Sequence, residues 1–274
     1  LAIRLDVTDS LTYCGRFVKE NDPDRFFLSL LADRPADIWP LLAFNCEIAK
    51  TREIVTDTTI GLIRLQWWRD SLDKIYDEGT VLQHEVVTEL ARLIKTYDLP
   101  RDLFENLLYA REFDLEDVLP ATLEGLVNYA DYTHTPLLSL ILKVMRSEED
   151  VKFLAISYTL TGLLRSVLYH ARQHRCYLPQ DVLADHGVDM GLFYDMKPQG
   201  NLNPVVITLA STAKRYLAAS APRTAYTRGM KKMTLLYLKK MAACDYNVFN
   251  KSWITPPAFK EVRVTFAAKI FQTD

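Results

Sequence analysis

Apolar residues recur at helical spacing in one segment after another, and short polar turns separate the segments. Phe26, Phe27, Leu30 and Leu31 share one face. Ile38–Thr51 is apolar on most sides (Ile38, Trp39, Leu41, Leu42, Ala43, Phe44, Ile48), which predicts a central buried helix. Ile60–Tyr76 carries Ile60, Ile63, Leu65, Trp67, Trp68, Leu72 and Ile75, with its charges on the outer side. Glu85–Tyr97 puts Val86, Leu90, Leu93 and Ile94 on one face. Further helices are expected over Asp9–Lys19 (with Asp9 or Ser10 as N-cap), Leu103–Glu116, Leu123–His134, Pro136–Met145, Val151–Gln173, Val205–Ser220 and Thr227–Ala243. Proline punctuates the pattern. Asn21-Asp22-Pro23-Asp24, Arg34-Pro35-Ala36-Asp37 and Leu99-Pro100-Arg101-Asp102 are breaks at helix starts, and Tyr177-Leu178-Pro179 ends a helix. Gly187–Pro204, with Gly187, Gly191, Pro198 and Gly200, is expected to be a mobile loop.

The chain therefore reads as all-α, and composition agrees. Nine glycines in 274 residues are too few for a glycine-rich nucleotide fold or a turn-rich β fold. A hydrophobic share of 49% with 25% charged residues is that of a globule with a sizeable core, and no repeat or linker divides it, so one domain over 1–274 is expected. No apolar run approaches the ~20 residues of a membrane span. The first residues alternate charge and apolarity (Arg4, Asp6, Asp9), unlike a secretory signal. The chain begins at Leu1 rather than Met, which leaves an upstream targeting segment open. Cys14, Cys46, Cys176 and Cys244 are scattered without CxxC spacing and are expected to be isolated buried thiols.

Charge sharpens the picture. From Lys197 onward, thirteen Lys and Arg face three acids (Asp245, Glu261, Asp274), a balance of +10 that leaves −12 for the rest. Either the two regions neutralise one another, or the basic one meets an acidic partner. Lys231, Lys232, Lys239 and Lys240 alternate with apolar positions and suit peripheral contact with an anionic membrane. RNA contact is the weaker reading, because aromatics at fixed spacing are missing. His170 and His174, four apart and near Cys176, lack a third metal ligand at conventional spacing, and a polar helix face is the plainer explanation. Trp67 and Trp68 are expected to place one ring in the core and one at a helix interface. Asp70, Asp73 and Asp131 read as ordinary solvated carboxylates.

Two segments carry a resemblance. Ala43–Thr56 and Gly162–Pro179, the latter ending in Arg175-Cys176-Tyr177-Leu178-Pro179, are similar to the squalene/phytoene synthase superfamily, whose enzymes join two prenyl diphosphates. Arg165, Leu107–Leu115 with Asp114, Asn128-Tyr129-Ala130 and Leu65–Leu72 match in the same order. The resemblance implies an isoprenoid-synthase-type bundle of about ten helices or more around a central cavity. It also implies two Asp-x-x-x-Asp motifs on facing helices. Residues four apart share a helix face, so paired carboxylates can grip Mg²⁺ and its diphosphate.

This chain departs from that pattern at the positions that matter. The first motif's aspartates fall on Arg52 and Thr56, with Glu53 the one adjacent acid, and the second motif's fall on Ser166 and His170. The resemblance then implies no catalytic residue, no metal and no cofactor. Arg165, Tyr169, Arg172, Arg175 and Tyr177 either line a residual anion or ligand pocket, or the arginines pair with acids such as Glu47 or Asp114. The degenerate motifs and the Leu238–Asn250 tract resemble the branch that includes a mitochondrial complex I assembly factor and its bacterial relatives. A non-catalytic role in complex I assembly through protein partners follows as an expectation, on the matrix side of the inner membrane, or in the cytoplasm if the chain is bacterial. The alternatives are a divergent prenyl-diphosphate transferase using Arg52 and Arg165 to hold phosphate, and a scaffold in another mitochondrial assembly such as a ribosome precursor.

Overall fold

Every regular element among the described residues of the computed structural model is helical, and the description covers residues 11–55, 57–116 and 119–269. The all-α expectation holds. The chain divides into two compact units: Leu1–Leu115 with Ser139–Glu148, and Glu116–Leu138 with Glu149–Asp274.

In the first unit, α1 (Tyr13–Asn21), α2 (Pro23–Ser29), α6 (Glu85–Tyr97) and α7 (Arg101–Phe113) pack around α3 (Pro35–Ala49). As its sequence predicts, α3 buries nearly every side chain from Asp37 to Ile48. Phe44 meets Trp68 and Phe104 edge to face, at ring separations of 5.2 and 5.5 Å. Close approach of α1 to α3 depends on Gly15, because a Cβ there would lie 2.7 Å from the Trp39 ring. Asp37 is one of the unit's buried charges. Tyr97 Oη donates to it at 2.7 Å, Arg92 Nη2 at 3.0 Å, and Arg34 Nε pairs with it at 2.8 Å. Burial opposes its ionisation, but these donors prevail and hold its carboxyl below the usual range.

Several boundaries differ from expectation. α1 begins at Tyr13, where Thr12 caps Gly15 N; Asp9 and Ser10 lie outside the described residues. α3 stops at Ala49, and a separate turn, α4 (Thr51–Ile54), follows. α5 (Thr58–Asp73) starts earlier than its apolar pattern because Asp57 caps it, and it runs on into a π-helical turn at Lys74–Glu78.

The second unit is built on α9 (Lys152–Arg165), α13 (Leu202–Ala219) and α14 (Ala225–Ala243), with α15 (Lys260–Lys269) laid on α14. Buried Ser157 fixes α9 to α13 by donating to Ala213 O at 2.7 Å. Thr224 and Thr227 form a reciprocal cap at the start of α14, and Glu149 accepts from Thr224 N and the Thr227 hydroxyl. The expected Val151–Gln173 helix is instead two, α9 and α10 (Val167–Arg172), broken at Ser166 (φ −97°, ψ 6°).

Two expected helices, Leu123–His134 and Pro136–Met145, are one, α8 (Leu123–Val144), with Pro136 inside it. Proline removes one helical hydrogen bond, and burial of Leu137, Leu138, Leu140 and Ile141 offsets that cost. The Gly187–Pro204 stretch is not a bare loop. It contains α12 (Met190–Tyr194), which buries Phe193, and the Gln199 side chain bonds the Asp189 backbone in both directions. α11 (Gln180–Asp185) and α15 are additional to the expected set. No described helix is long and apolar enough to cross a membrane.

Candidate functional site

The first unit carries the first degenerate motif on α4, a single helical turn. Thr51 is fully buried and anchors it, Arg52 is half-buried, and Glu53 and Ile54 face solvent. Arg52 Nη1 donates to Val55 O at 3.2 Å, closing the turn on itself. Thr56 lies outside the described residues. The next acid, Asp57, is committed to α5: its Oδ1 accepts from Thr59 N at 2.7 Å and Ile60 N at 3.3 Å. Those backbone donors lower its pKa, as a helix N-terminus does.

Four further acids of this unit are also engaged. Glu47 pairs with Arg64 at 2.5 Å, and Asp114 with Arg111 at 3.0 Å. Asp73 pairs with Arg101, and Asp70 accepts from Gln66 at 2.8 Å. Trp68 is the core ring of its pair. Trp67 stays 38% exposed with the His84 ring beside it, rather than closing a helix interface. Ile60, Ile63 and Trp67 form an exposed apolar row on α5.

In the second unit the other motif straddles the break at Ser166. His170 N donates to Ser166 O at 2.9 Å, so the two motif positions still stand one turn apart. The side chains they carry are a hydroxyl and an imidazole. The His170 ring lies in an aromatic row: Tyr177 is 4.8 Å away, Tyr169 5.5 Å, and Tyr129 joins Tyr177 at 5.6 Å. Behind His170, Cys176, Tyr177 and Phe193 leave a void of about 10 Å³, no more than one water's worth.

His174 diverges from His170. It takes a left-handed conformation (φ 54°) that ends α10, and its ring turns to Tyr194. The buried Cys176 sulfur accepts from Leu178 N at 3.4 Å, and burial pushes its thiol up to about 12. The imagined His170–His174–Cys176 metal set is thus not brought together.

Arg165 stacks on Tyr237 of α14, its guanidinium carbon 3.6 Å from the ring centre, and Lys260 approaches the same ring at 6.0 Å. Trp253 Nε1 donates to Leu164 O at 3.2 Å, pinning the adjacent backbone. Tyr237 and Trp253 escaped the sequence reading because nothing local marks partners so distant along the chain. Arg172 is exposed and Arg175 half-buried. Asp131 pairs with Lys152 at 2.7 Å and accepts from Thr135 at 2.6 Å. Among the C-terminal lysines, Lys231 donates to Ser220 O at 2.6 Å and Lys240 to Thr255 and Pro256 O, whereas Lys232 is half-exposed and Lys239 exposed.

The motif residues do not fit Mg²⁺. That ion selects hard oxygen ligands, chiefly carboxylates, and a guanidinium repels it. Arg52, Ser166 and His170 supply one cation, one neutral hydroxyl and one imidazole where the resemblance places carboxylates. Among the described residues, no group of three or more His, Cys, Asp or Glu could jointly hold a metal ion.

Known proteins resemble this chain in sequence and in fold. A family model described as squalene/phytoene synthase matches residues 18–255. A Bos taurus protein named NADH dehydrogenase (ubiquinone) complex I, assembly factor 6 is 28% identical over 254 residues, covering 88% of this chain and 76% of that protein. The Homo sapiens protein of the same name is 27% identical over 254 residues, with the same coverage. Among solved structures, a dehydrosqualene synthase in complex with ligand superposes with a TM-score of 0.78 at 17% identity, covering 94% of each chain. Squalene synthase HpnC from Alicyclobacillus acidocaldarius gives 0.72 at 17% identity, over 85% of this chain and 93% of that one. The fold is the isoprenoid-synthase type, and the chain belongs to the squalene/phytoene synthase family.

Proposed function

We propose that this chain is a non-catalytic member of its family that acts in the assembly of respiratory complex I through contacts with protein partners. The observation that carries the first half is the donor set: Arg52, Ser166 and His170 stand where diphosphate chemistry needs carboxylates to gather Mg²⁺. Asp57 supports it, being spent on the α5 cap, and so does Arg165, stacked on Tyr237. The second half comes from the relatives, which carry the name of a complex I assembly factor across most of both chains. The reading includes peripheral attachment on the matrix side of the inner membrane, or on the cytoplasmic side in a bacterium. It treats residues 1–274 as one synthase-like domain.

Two measurements test it together. Cells lacking the complex I assembly factor are expected to regain assembled complex I when they express this chain. The purified protein is expected to form no squalene or phytoene from farnesyl or geranylgeranyl diphosphate with Mg²⁺. Product formation would overturn the non-catalytic reading. Diphosphate-dependent thermal stabilisation that Arg165→Ala abolishes would instead support a divergent transferase that holds phosphate through Arg52 and Arg165. Failure to restore complex I would overturn the assembly role.

A further inference from the structure

The basic C-terminal region carries an apolar surface that the sequence pattern did not expose. α15 buries Lys260, Val264 and Ala268, a row at four-residue spacing, against its own unit. The opposite face carries Val262, 68% exposed, and Phe266, 69% exposed. Phe259, at the helix start, is 79% exposed. A bulky side chain there is costly twice over, since Phe259 also adopts a left-handed backbone (φ 52°) that disfavours it.

The rim of this face is cationic. Arg263 and Lys269 are exposed on α15, and Glu261 is the one acid on the helix, paired with Lys260 at 3.3 Å. Between α14 and α15 runs a groove of about 490 Å³ lined by Arg228, Lys231 and Lys232 with Leu235 and Ala267. Arg228 holds α15 in place through two bonds to Ala268 O, at 2.8 and 3.1 Å.

We propose that α15 is a membrane-docking element, with Phe259, Val262 and Phe266 entering the headgroup–acyl boundary of an anionic bilayer. Arg263, Lys269 and Lys232 meet the lipid phosphates. The occupant follows from the charges. A second copy related by a two-fold axis would set cation against cation. Anionic lipid complements both the apolar face and its rim. The inference rests on the membrane-attachment part of the proposed function, and it replaces the α14 lysines as the principal contact.

The test is co-sedimentation of the whole chain with phosphatidylcholine vesicles, with and without 30% cardiolipin, at physiological salt. Binding is expected only to the anionic vesicles. Val262→Ser with Phe266→Ser should weaken it at least tenfold while leaving the helical signal and Tm in place. Arg263→Gln should weaken it about fivefold, as loss of one cation near an anionic surface does. Equal binding to neutral vesicles, or unchanged binding by the Val262/Phe266 double variant, would overturn the proposal. So would a concentration-dependent dimer in sedimentation that this double variant abolishes, since the face would then be a self-interface. Vesicle binding needs no assembly partner. A chain that binds vesicles but fails to restore complex I sinks the assembly role alone, one that restores complex I without binding vesicles sinks this inference with the membrane attachment it rests on, and unchanged binding by the double variant sinks this inference alone.

Discussion

The Arg165 guanidinium carbon stands 3.6 Å from the centre of the Tyr237 ring, joining the end of α9 to the middle of α14. Tyr237 is buried and Arg165 half-buried, and such stacks contribute about 1–2 kcal/mol. Arg165→Ala and Tyr237→Leu should each destabilise the fold, and their double-mutant cycle should show about 1 kcal/mol of coupling in urea unfolding. Arg165→Lys should recover less than half of the loss, because an ammonium lacks the planar group that stacks. Additive single effects would show that the contact contributes nothing of its own.

This stack also marks how far the sequence could be read. The apolar face of α3, the helical class and the family motifs were legible, since each is written in neighbouring residues. The break at Ser166 was not, because the apolar pattern runs through it from Leu164 to Val167. Helix ends were equally hidden. Asp98, Arg146, His174, Met196 and Asp245 all take the left-handed conformation that ends a helix and that glycine usually supplies. The low glycine count thus identified the class while concealing the boundaries. At the motif positions, residue identity revealed what was lost, but the partners now engaging Arg165 and His170 come from the tertiary fold.

Two glycines with similar crowding should respond differently to alanine. At Gly15 the new methyl would lie 2.7 Å from the rigid Trp39 ring, whose indole nitrogen is held by Ser29 Oγ at 2.9 Å. At Gly61 it would lie 2.6 Å from Leu115 Cδ2, the end of a side chain that can change rotamer. Gly15→Ala should cost about 2–3 kcal/mol and Gly61→Ala about 1 kcal/mol or less in chemical denaturation. Equal costs would mean that Trp39 yields as easily as Leu115.

Asp37 should make part of the stability acid-sensitive. Its folded pKa lies below that of the unfolded chain, so the carboxylate's contribution is complete above about pH 3.9. The contribution disappears as pH falls through the lower folded value. Asp37→Asn should cost about 2 kcal/mol at pH 7 and flatten the pH dependence of Tm below about pH 4. An unchanged slope in the variant would assign the acid sensitivity to other carboxylates.

Three of the four cysteines should be silent in the native protein. All are buried, and burial pushes the thiols of Cys14, Cys46 and Cys176 up to about 12. The thiolate is the reactive form, so a disulfide reagent at pH 7.5 should label none of these three within minutes, and all four within seconds in guanidinium. Rapid native labelling of Cys176 would mean that the Tyr177–His170 segment opens readily.

Helix ends that use ordinary residues where glycine would serve should be improvable. Arg146 ends α8 at φ 55°, and Ser147 N reaches back to Leu142 O at 2.9 Å, the bond pattern of a left-handed helix terminus. An L-residue side chain costs about 1 kcal/mol in that conformation, and glycine avoids it. Glycine also loosens the unfolded chain, which returns part of the gain. Arg146→Gly should therefore stabilise by about 0.5 kcal/mol. Lys239→Gly, at an exposed interior position of α14, should cost about 1 kcal/mol. The opposite signs separate backbone conformation from loss of a cation, because both substitutions remove one positive charge. If Arg146→Gly destabilised as much as Lys239→Gly, the Arg146 side chain would be contributing more than its backbone strain removes.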